Sequence, residues 1–158
     1  MEERVISLTV ENRFGLLAKV AGLFSARGYN INSLVVAPTE DPEISRMVLT
    51  TSGDQRIIEQ IIKQLNKVIG IIKVTDLCEN DYLERELLLV KVNVANQKRT
   101  EIIELAELFK ARIIDVARKF LTIELVSETR KVDGFLELLK PYGLKEVLRT
   151  GTVAVSRE

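Results

Sequence analysis

The first half of the chain shows two hydrophobic periods in succession. Ile6, Leu8 and Val10 occupy every second position, which is the pattern of a half-buried strand. The next apolar residues are spaced three and four apart, as on the buried face of a helix that ends near Gly28; they are Leu17, Val20, Ala21 and Phe24. The pattern continues with strands over 30–36 and 44–51, a helix through 58–65 and a strand over 71–74. The resulting order, β-α-β-β-α-β, is that of the ferredoxin-like fold.

The second half repeats this order at an offset of about 80 residues. The pattern predicts a strand over 86–94, a helix from Thr100, strands over 112–116 and 120–126, a helix through 132–139 and a last strand over 146–155. We therefore predict an α+β protein of two ferredoxin-like βαββαβ domains, 1–77 and 78–158, separated in the polar stretch 78–82.

Composition restricts the chemistry that the chain can perform. Its 158 residues include no His and one Cys, so the usual zinc, haem and iron–sulfur ligand sets cannot form within one chain. Lys and Arg total 23, as do Asp and Glu, and this neutral balance provides no electrostatic surface for nucleic acid. A single thiol fits a reducing compartment, and no apolar run is long enough to span a membrane. We expect a cytoplasmic protein without membrane, nucleic-acid or metal partners.

Catalytic motifs are not found in the sequence. It contains neither the P-loop pattern nor G-x-G-x-x-G. Glu40, Asp41 and Glu43 could ligate a divalent cation, but they flank Pro42 in a predicted hairpin, where a solvated turn is the simpler interpretation. Cys78 has no neighbouring base in the sequence. We expect no enzyme active site contained within this chain.

The segment 12–17, between the first strand and the first helix, is better suited to binding. The first turn of a helix presents unpaired N–H groups that suit a small anion such as a carboxylate. Gly15 would let a ligand approach the backbone, and the Asn12 amide could serve both charged groups of an amino acid. Asn12 could instead cap the helix while Gly15 makes the turn, and loop chemistry alone favours this simpler interpretation.

A second unusual segment, Gly28–Asn32, follows the first helix. Asn30 and Asn32 should point to one face and Ile31 to the other, although asparagine is unfavourable in a strand. One interpretation is a polar ring around an apolar contact, suited to a short aliphatic ligand. The other is a capped turn after the helix.

Two runs that overlap these segments resemble an ACT domain, and more narrowly the regulatory small subunits of acetolactate synthase, also called acetohydroxyacid synthase. They are 11–17 (ENRFGLL) and 20–31 (VAGLFSARGYNI). Further similarity lies at 33–39, 45–47, 60–67, 84–92 and 113–116, so the resemblance covers nearly the whole chain. Lys19 stands where this family commonly has Arg, and Val48 where Thr is common; neither is among the pocket residues named below.

The resemblance implies a subunit without chemistry of its own, acting in the biosynthesis of valine, isoleucine and leucine. In this family the large catalytic subunit carries thiamine diphosphate, FAD and magnesium, and condenses pyruvate with a second 2-oxo acid. The small subunit raises that activity and confers feedback inhibition by valine. We therefore expect no cofactor in this chain, the large subunit as its partner and valine as its effector.

The resemblance also implies where valine binds. ACT domains pair side by side as a homodimer, and the effector lies at their interface. Asn12, Gly15, Leu16 and Leu17 would come from one protomer, and Asn30 and Ile31 from the other. Ala18, a small residue in the first helical turn, is where a bulky side chain should interfere. The second domain is expected to lack such a site, because 93–98 has no Gly before its helix.

Other functions remain open from the residues alone. An amino-acid-sensing ACT protein without a synthase partner would look similar in its first half. An RNA-binding module can share the strand order, but it needs stacking aromatics on its central strands, and 6–10 and 45–49 contain none. A small acylphosphatase-like enzyme would need a phosphate-binding loop, for which Arg13 beside Asn12 is the only candidate pair, with unsuitable spacing and glycine content.

Overall fold

The computed structural model describes residues 2–94 and 97–158. It divides the chain into two compact units. The first unit runs to Leu83 and also includes Thr152–Glu158, whereas the second is Glu84–Gly151. Each unit has the element order β-α-β-β-α-β, so the predicted α+β class with two ferredoxin-like domains is confirmed.

The first unit is an antiparallel sheet with two helices. Its elements are β1 (Glu2–Glu11), α1 (Leu16–Ala26), β2 (Ser33–Pro38), β3 (Ile44–Gly53), α2 (Gln55–Leu65) and β4 (Ile71–Asp76). The sheet order is β2-β3-β1-β4, which makes β2 and β4 the edges. A short 3₁₀ helix follows at Leu77–Glu79.

The main core of this unit lies between the sheet and its helices. Ile6 and Leu8 of β1 are fully buried, as the period-2 pattern predicts. Phe24 of α1 and Ile58 of α2 pack into the same cluster. The start of α2 is capped by Asp54, whose Oδ1 accepts a hydrogen bond of 2.9 Å from the Ile57 N–H.

The opposite face of this sheet is also covered, by the C-terminal segment of the chain. Val5 and Val48 form a small buried cluster with Leu77 and Ala154, and Ala154 lies in β9 (Val153–Ser156). The units are therefore bounded differently from the predicted halves 1–77 and 78–158, because the last residues return to bury apolar surface on the first sheet.

The second unit has the same architecture. Its elements are β5 (Tyr82–Asn93), α3 (Arg99–Leu108), β6 (Arg112–Val116), β7 (Phe120–Ser127), α4 (Thr129–Leu139), a 3₁₀ turn at Lys140–Tyr142 and β8 (Leu144–Arg149). The sheet order is β6-β7-β5-β8, and β9 pairs with β5, whose first two residues belong to the first unit. The helices bury Leu88, Val90 and Val92 of β5. None of the described helices is long and apolar enough to cross a membrane.

The predicted single strand over 146–155 is wrong. The chain forms β8 and then leaves that strand at Thr150, before β9 begins at Val153. Gly151 between them has φ +80°, a left-handed conformation that breaks an extended strand and that glycine adopts without steric cost. Two short strands therefore serve different units.

A partly buried ion network connects three elements of the second unit. Glu86 of β5 is 2% exposed, and its Oε2 lies 2.9 Å from Nη2 of Arg149 in β8. The same Nη2 lies 2.8 Å from Oδ1 of Asp133 in α4. The hydrogen bond to Glu86 is the main reason why the pKa of the Arg149 guanidinium is raised. The carboxylate of Glu86 is thus buried with its charge paired.

Phe135→Ala should lower the free energy of unfolding by about 3–5 kcal/mol, because it removes a fully buried ring. The ring lies 4.9 Å, centroid to centroid, from that of Phe109. Urea unfolding followed by circular dichroism measures the change. Leu138→Ala on the same helix is the matched control, since Leu138 is 48% exposed, and it should cost less than about 1 kcal/mol. Equal losses in both variants would contradict this description of the core.

Candidate functional site

The loop between β1 and α1 is fastened to a neighbouring hairpin by Asn12. The Asn12 backbone N–H donates to the carbonyl oxygen of Glu43 at 2.7 Å, and its side-chain Nδ2 donates to that of Pro42 at 2.9 Å. The interpretation of Asn12 as the helix cap is therefore wrong. Because a carbonyl only accepts, the amide NH₂ must face Pro42, and Oδ1 is left available as an acceptor.

The hairpin that holds Asn12 is the acidic segment 39–43. The antiparallel pairing of β2 with β3 confirms the predicted hairpin. Within it, Oδ1 of Asp41 accepts a hydrogen bond of 2.9 Å from the Glu43 N–H, as in an Asx turn. Across residues 2–94 and 97–158, no group of three or more His, Cys, Asp or Glu side chains is placed to hold a metal ion.

The N-terminus of α1 has no side-chain cap. Gly15 occupies the N-cap position with φ +80° and has no side chain that could accept a hydrogen bond from the helix. The first turn contains no acidic residue. The N–H groups of Leu17 and Ala18 have no backbone acceptor among the described residues. A Cβ built on Gly15 would have no atom within 4 Å, so the space beside these donors is open. The helix end can therefore accept a small anion.

The side chains of the first turn point in different directions. Leu16 is only 3% exposed and belongs to the core, so it can offer a ligand nothing but its backbone. Leu17 is 41% exposed, and Ala18 is exposed beside it. An apolar ligand group at this site would therefore meet Leu17.

The second predicted segment is a loop between α1 and β2. β2 begins at Ser33, so Asn30 and Asn32 lie before the strand. Thr51 Oγ1 donates to the Asn30 carbonyl oxygen at 2.7 Å, and Asn30 Nδ2 donates to Asn32 Oδ1 at 2.9 Å. Ile31 is half-buried and packs against the core of the first unit. The two amides therefore share one side of the loop, as predicted, while Ile31 turns inward.

These two segments share no hydrogen bond among the described residues of one chain. Asn12 is bonded to the 39–43 hairpin, whereas Asn30 is bonded to Asn32 and β3. Within one protomer each segment is thus held by its own neighbours.

A groove beside the first segment was missed by the sequence predictions. It has a volume of about 290 Å³ and is lined by Arg13, Phe14, Leu16, Lys19 and Ile69. Arg13 closes one side, since its Nε lies 2.9 Å from Glu11 Oε2 and its Nη2 donates to the Ile69 carbonyl oxygen at 3.3 Å. The sequence contained one indication of this groove. Phe14 stands beside Gly15 in a predicted loop, where an aromatic side chain has no core position to fill.

The second unit has a different surface. A groove of about 300 Å³ lies on its sheet, where Lys91 Nζ and Glu146 Oε2 pair at 3.3 Å between Leu89 and Leu148. Asp115 also lines this groove, so two carboxylates face one lysine there. Residues 95 and 96 of the 93–98 loop, where the sequence predicts no effector site, lie outside the described residues.

Comparisons with known proteins cover both units. Residues 85–158 match the family described as the small subunit of acetolactate synthase, and residues 6–73 match the AHAS small subunit-like ACT domain. The ACT-domain match ends at residue 73 and the other match begins at residue 85, so the unit boundary at Leu83 lies between them.

Relatives match the chain over almost their full length. A probable acetolactate synthase small subunit of Archaeoglobus fulgidus is 48% identical over 98% of this chain and 97% of its own. The acetolactate synthase isozyme 3 small subunit of Escherichia coli is 43% identical over 98% of this chain and 95% of its own. The crystal structure of the acetolactate synthase small subunit of Thermotoga maritima superposes with a TM-score of 0.89, at 42% identity, covering 100% of this chain and 99% of that one. This chain belongs to the acetolactate synthase small-subunit family and carries that family's ACT domain in its first unit.

Proposed function

We propose that this chain activates the catalytic large subunit of acetolactate synthase and confers feedback inhibition by valine on it. Membership of a small-subunit family implies the large-subunit partner. The observation that carries the effector proposal is the uncapped N-terminus of α1. Its N–H groups lack side-chain partners, and the space beside Gly15 is open. This arrangement suits a carboxylate and needs no titrating side chain.

The site matches the groups of an amino acid one by one. The effector carboxylate would bind the N–H groups of Leu17 and Ala18, which lack backbone acceptors among the described residues. Its ammonium would lie at Oδ1 of Asn12, which the hydrogen bond from Nδ2 to Pro42 leaves available. Its isopropyl group would contact the exposed side chain of Leu17. Leu16 would contribute backbone alone, since its side chain is in the core.

The remaining contacts come, in this proposal, from a second protomer through Asn30 and Ile31. Strand β2 is an edge of the sheet, so one side of its backbone has no partner strand within the first unit. Val36 of this strand is 40% exposed. Pairing β2 with its own copy about a two-fold axis would extend the sheet and form a homodimer.

A site shared by two chains suits a regulator. Valine has eight non-hydrogen atoms, which allow at most roughly −12 kcal/mol of binding free energy. A feedback sensor needs far less, with a Kd of about 10 μM to 1 mM, or about −7 to −4 kcal/mol. Inhibition also requires that valine bind two states of the complex unequally, typically by about 1–3 kcal/mol. A shift at the dimer interface would change the pocket and thus provide this difference.

The chemistry of the complex belongs, in the same proposal, to the large subunit. Thiamine diphosphate, FAD and magnesium would all be held there, as in the family that the sequence resembles. This chain would contribute no catalytic residue and would act in the cytoplasm with its partner.

Mixing this chain with a purified acetolactate synthase large subunit should raise the rate of acetolactate formation, and adding valine should then lower it. The large subunit alone, with and without valine, is the control. A rate unchanged by the chain would contradict the regulatory role. Activation without any response to valine would support the large subunit as the partner and would contradict valine as the effector.

Gly15→Asp and Asn30→His should each abolish valine binding while leaving the dimer intact. In the first variant a carboxylate would stand beside the donors that the effector carboxylate needs. A Cβ there meets no atom within 4 Å, but the left-handed φ of +80° strains any side chain at this position. In the second, a larger ring replaces the amide that bonds Asn32. Titration calorimetry measures the affinity. Gly22→Asp, also in open space but further along α1, is the control and should bind valine normally. Unchanged affinity in Gly15→Asp and Asn30→His would refute the assigned site.

Ala18→Phe should weaken valine binding by at least about tenfold, because a ring on the first helical turn would crowd the ligand. Ala26→Phe, at the exposed end of the same helix, is the control. Calorimetry with both variants separates crowding from a general effect on α1. Equal affinities would place the ligand elsewhere.

A further inference from the structure

The aromatic side chain of Phe14 is fully exposed to solvent, although the loop that carries it is bonded to the rest of the first unit. Its relative exposure is 107%, the highest of the exposed large hydrophobic residues. On one side Asn12 is bonded to Pro42 and Glu43. On the other side Leu16 is buried in the core. The backbone is therefore held on both sides of this exposed ring.

A second apolar side chain lies with Phe14 in the groove of about 290 Å³. Ile69 is 76% exposed, and its carbonyl oxygen is held by Arg13 Nη2. Ile72, at the irregular pairing of β4 with β1, is 57% exposed. Aromatic and aliphatic side chains presented on a rigid surface are typical anchors of protein–protein interfaces.

The border of this surface is positively charged. Lys19 and Arg13 both line the groove. Lys19 has no ion pair with a described residue. The nearest acid along β1, Glu11, is already paired with Arg13. The lining residues of the groove include no acid, whereas the acids of the 39–43 hairpin lie beside Asn12. This basic lining favours a partner with carboxylates around an apolar pocket.

The position of Ile69 argues against a second copy of the chain as the occupant of this surface. Ile69 lies in the turn before β4, and β4 is the sheet edge opposite β2. A dimer formed through β2 would leave the β4 side uncovered. Phe14 is also in the same short loop as Asn12 and Gly15, so a partner bound there would respond to any movement that an effector causes in the loop.

We propose that Phe14 and Ile69, bordered by Lys19, form the surface that docks onto the catalytic large subunit. Its counterpart would be an apolar pocket with an acidic border. This inference rests on the proposed regulatory function and specifies how occupancy of the effector site reaches the partner: both use the loop 12–17.

Phe14→Ala should raise the concentration of this chain that gives half-maximal activation of the large subunit by about tenfold or more. Ile69→Ser should act in the same direction. The matched control is Leu108→Ala, because Leu108 is 77% exposed on the second unit, and it should change that concentration by less than about twofold. Valine affinity of the free chain and its mass in sedimentation should stay as in the wild type for all three.

The charged border is tested separately with Lys19→Glu. It should weaken activation, and added salt should weaken activation by the wild type more than by this variant. Lys131→Glu, on an exposed position of α4, is the control. Identical salt dependence in the wild type and Lys19→Glu would refute the acidic counterpart.

The outcomes separate this inference from the proposed function. If the wild-type chain activates and confers valine inhibition, but Phe14→Ala activates at the same concentration, the docking surface is refuted and the function stands. If Phe14→Ala dissociates the dimer, the surface is an interface between copies of the chain and the inference is wrong. If the wild type neither binds nor activates the large subunit, the proposed function itself fails.

Discussion

Burial of β1 on both of its faces is the constraint on which the first unit depends. Ile6 and Leu8 face α1 and α2, while Val5 faces the cluster that includes Ala154 from the end of the chain. A strand covered on both sides cannot shift its register without exposing one apolar set. The end of β1 is therefore held firmly, and the loop that begins there starts from a fixed point.

The candidate effector site and the candidate docking surface follow from that fixed point. Asn12 ties the loop to the 39–43 hairpin, Gly15 turns it through φ +80°, and Leu16 returns it to the core. Between these anchors, the N–H groups of α1 and the ring of Phe14 are left facing outward. Tight support beneath an exposed loop allows one short segment to serve a ligand and a partner together.

Local patterns predicted most of the secondary structure, because burial of one face imposes a period of 2 or 3.6 on each element. They failed at 146–155, where Gly151 interrupts an otherwise β-prone run with a positive φ, and where the strand after it serves the other unit. They also left the role of Asn12 open, because its acceptor, Pro42, lies thirty residues away in the sequence. Neither the acceptor of Asn12 nor the unit that β9 joins can be identified from neighbouring residues in the sequence.

The sequence by itself determined the fold class, the repeat of two domains, the family and the loop that deserves testing, since these depend on periodicity and on short contiguous motifs. Only the tertiary structure decided which groups of that loop are free. It placed the Leu16 side chain in the core, left the N–H groups of Leu17 and Ala18 without backbone acceptors among the described residues, and set Phe14 beside Ile69. Exposure and hydrogen-bond satisfaction depend on contacts between distant segments, which a linear pattern does not contain.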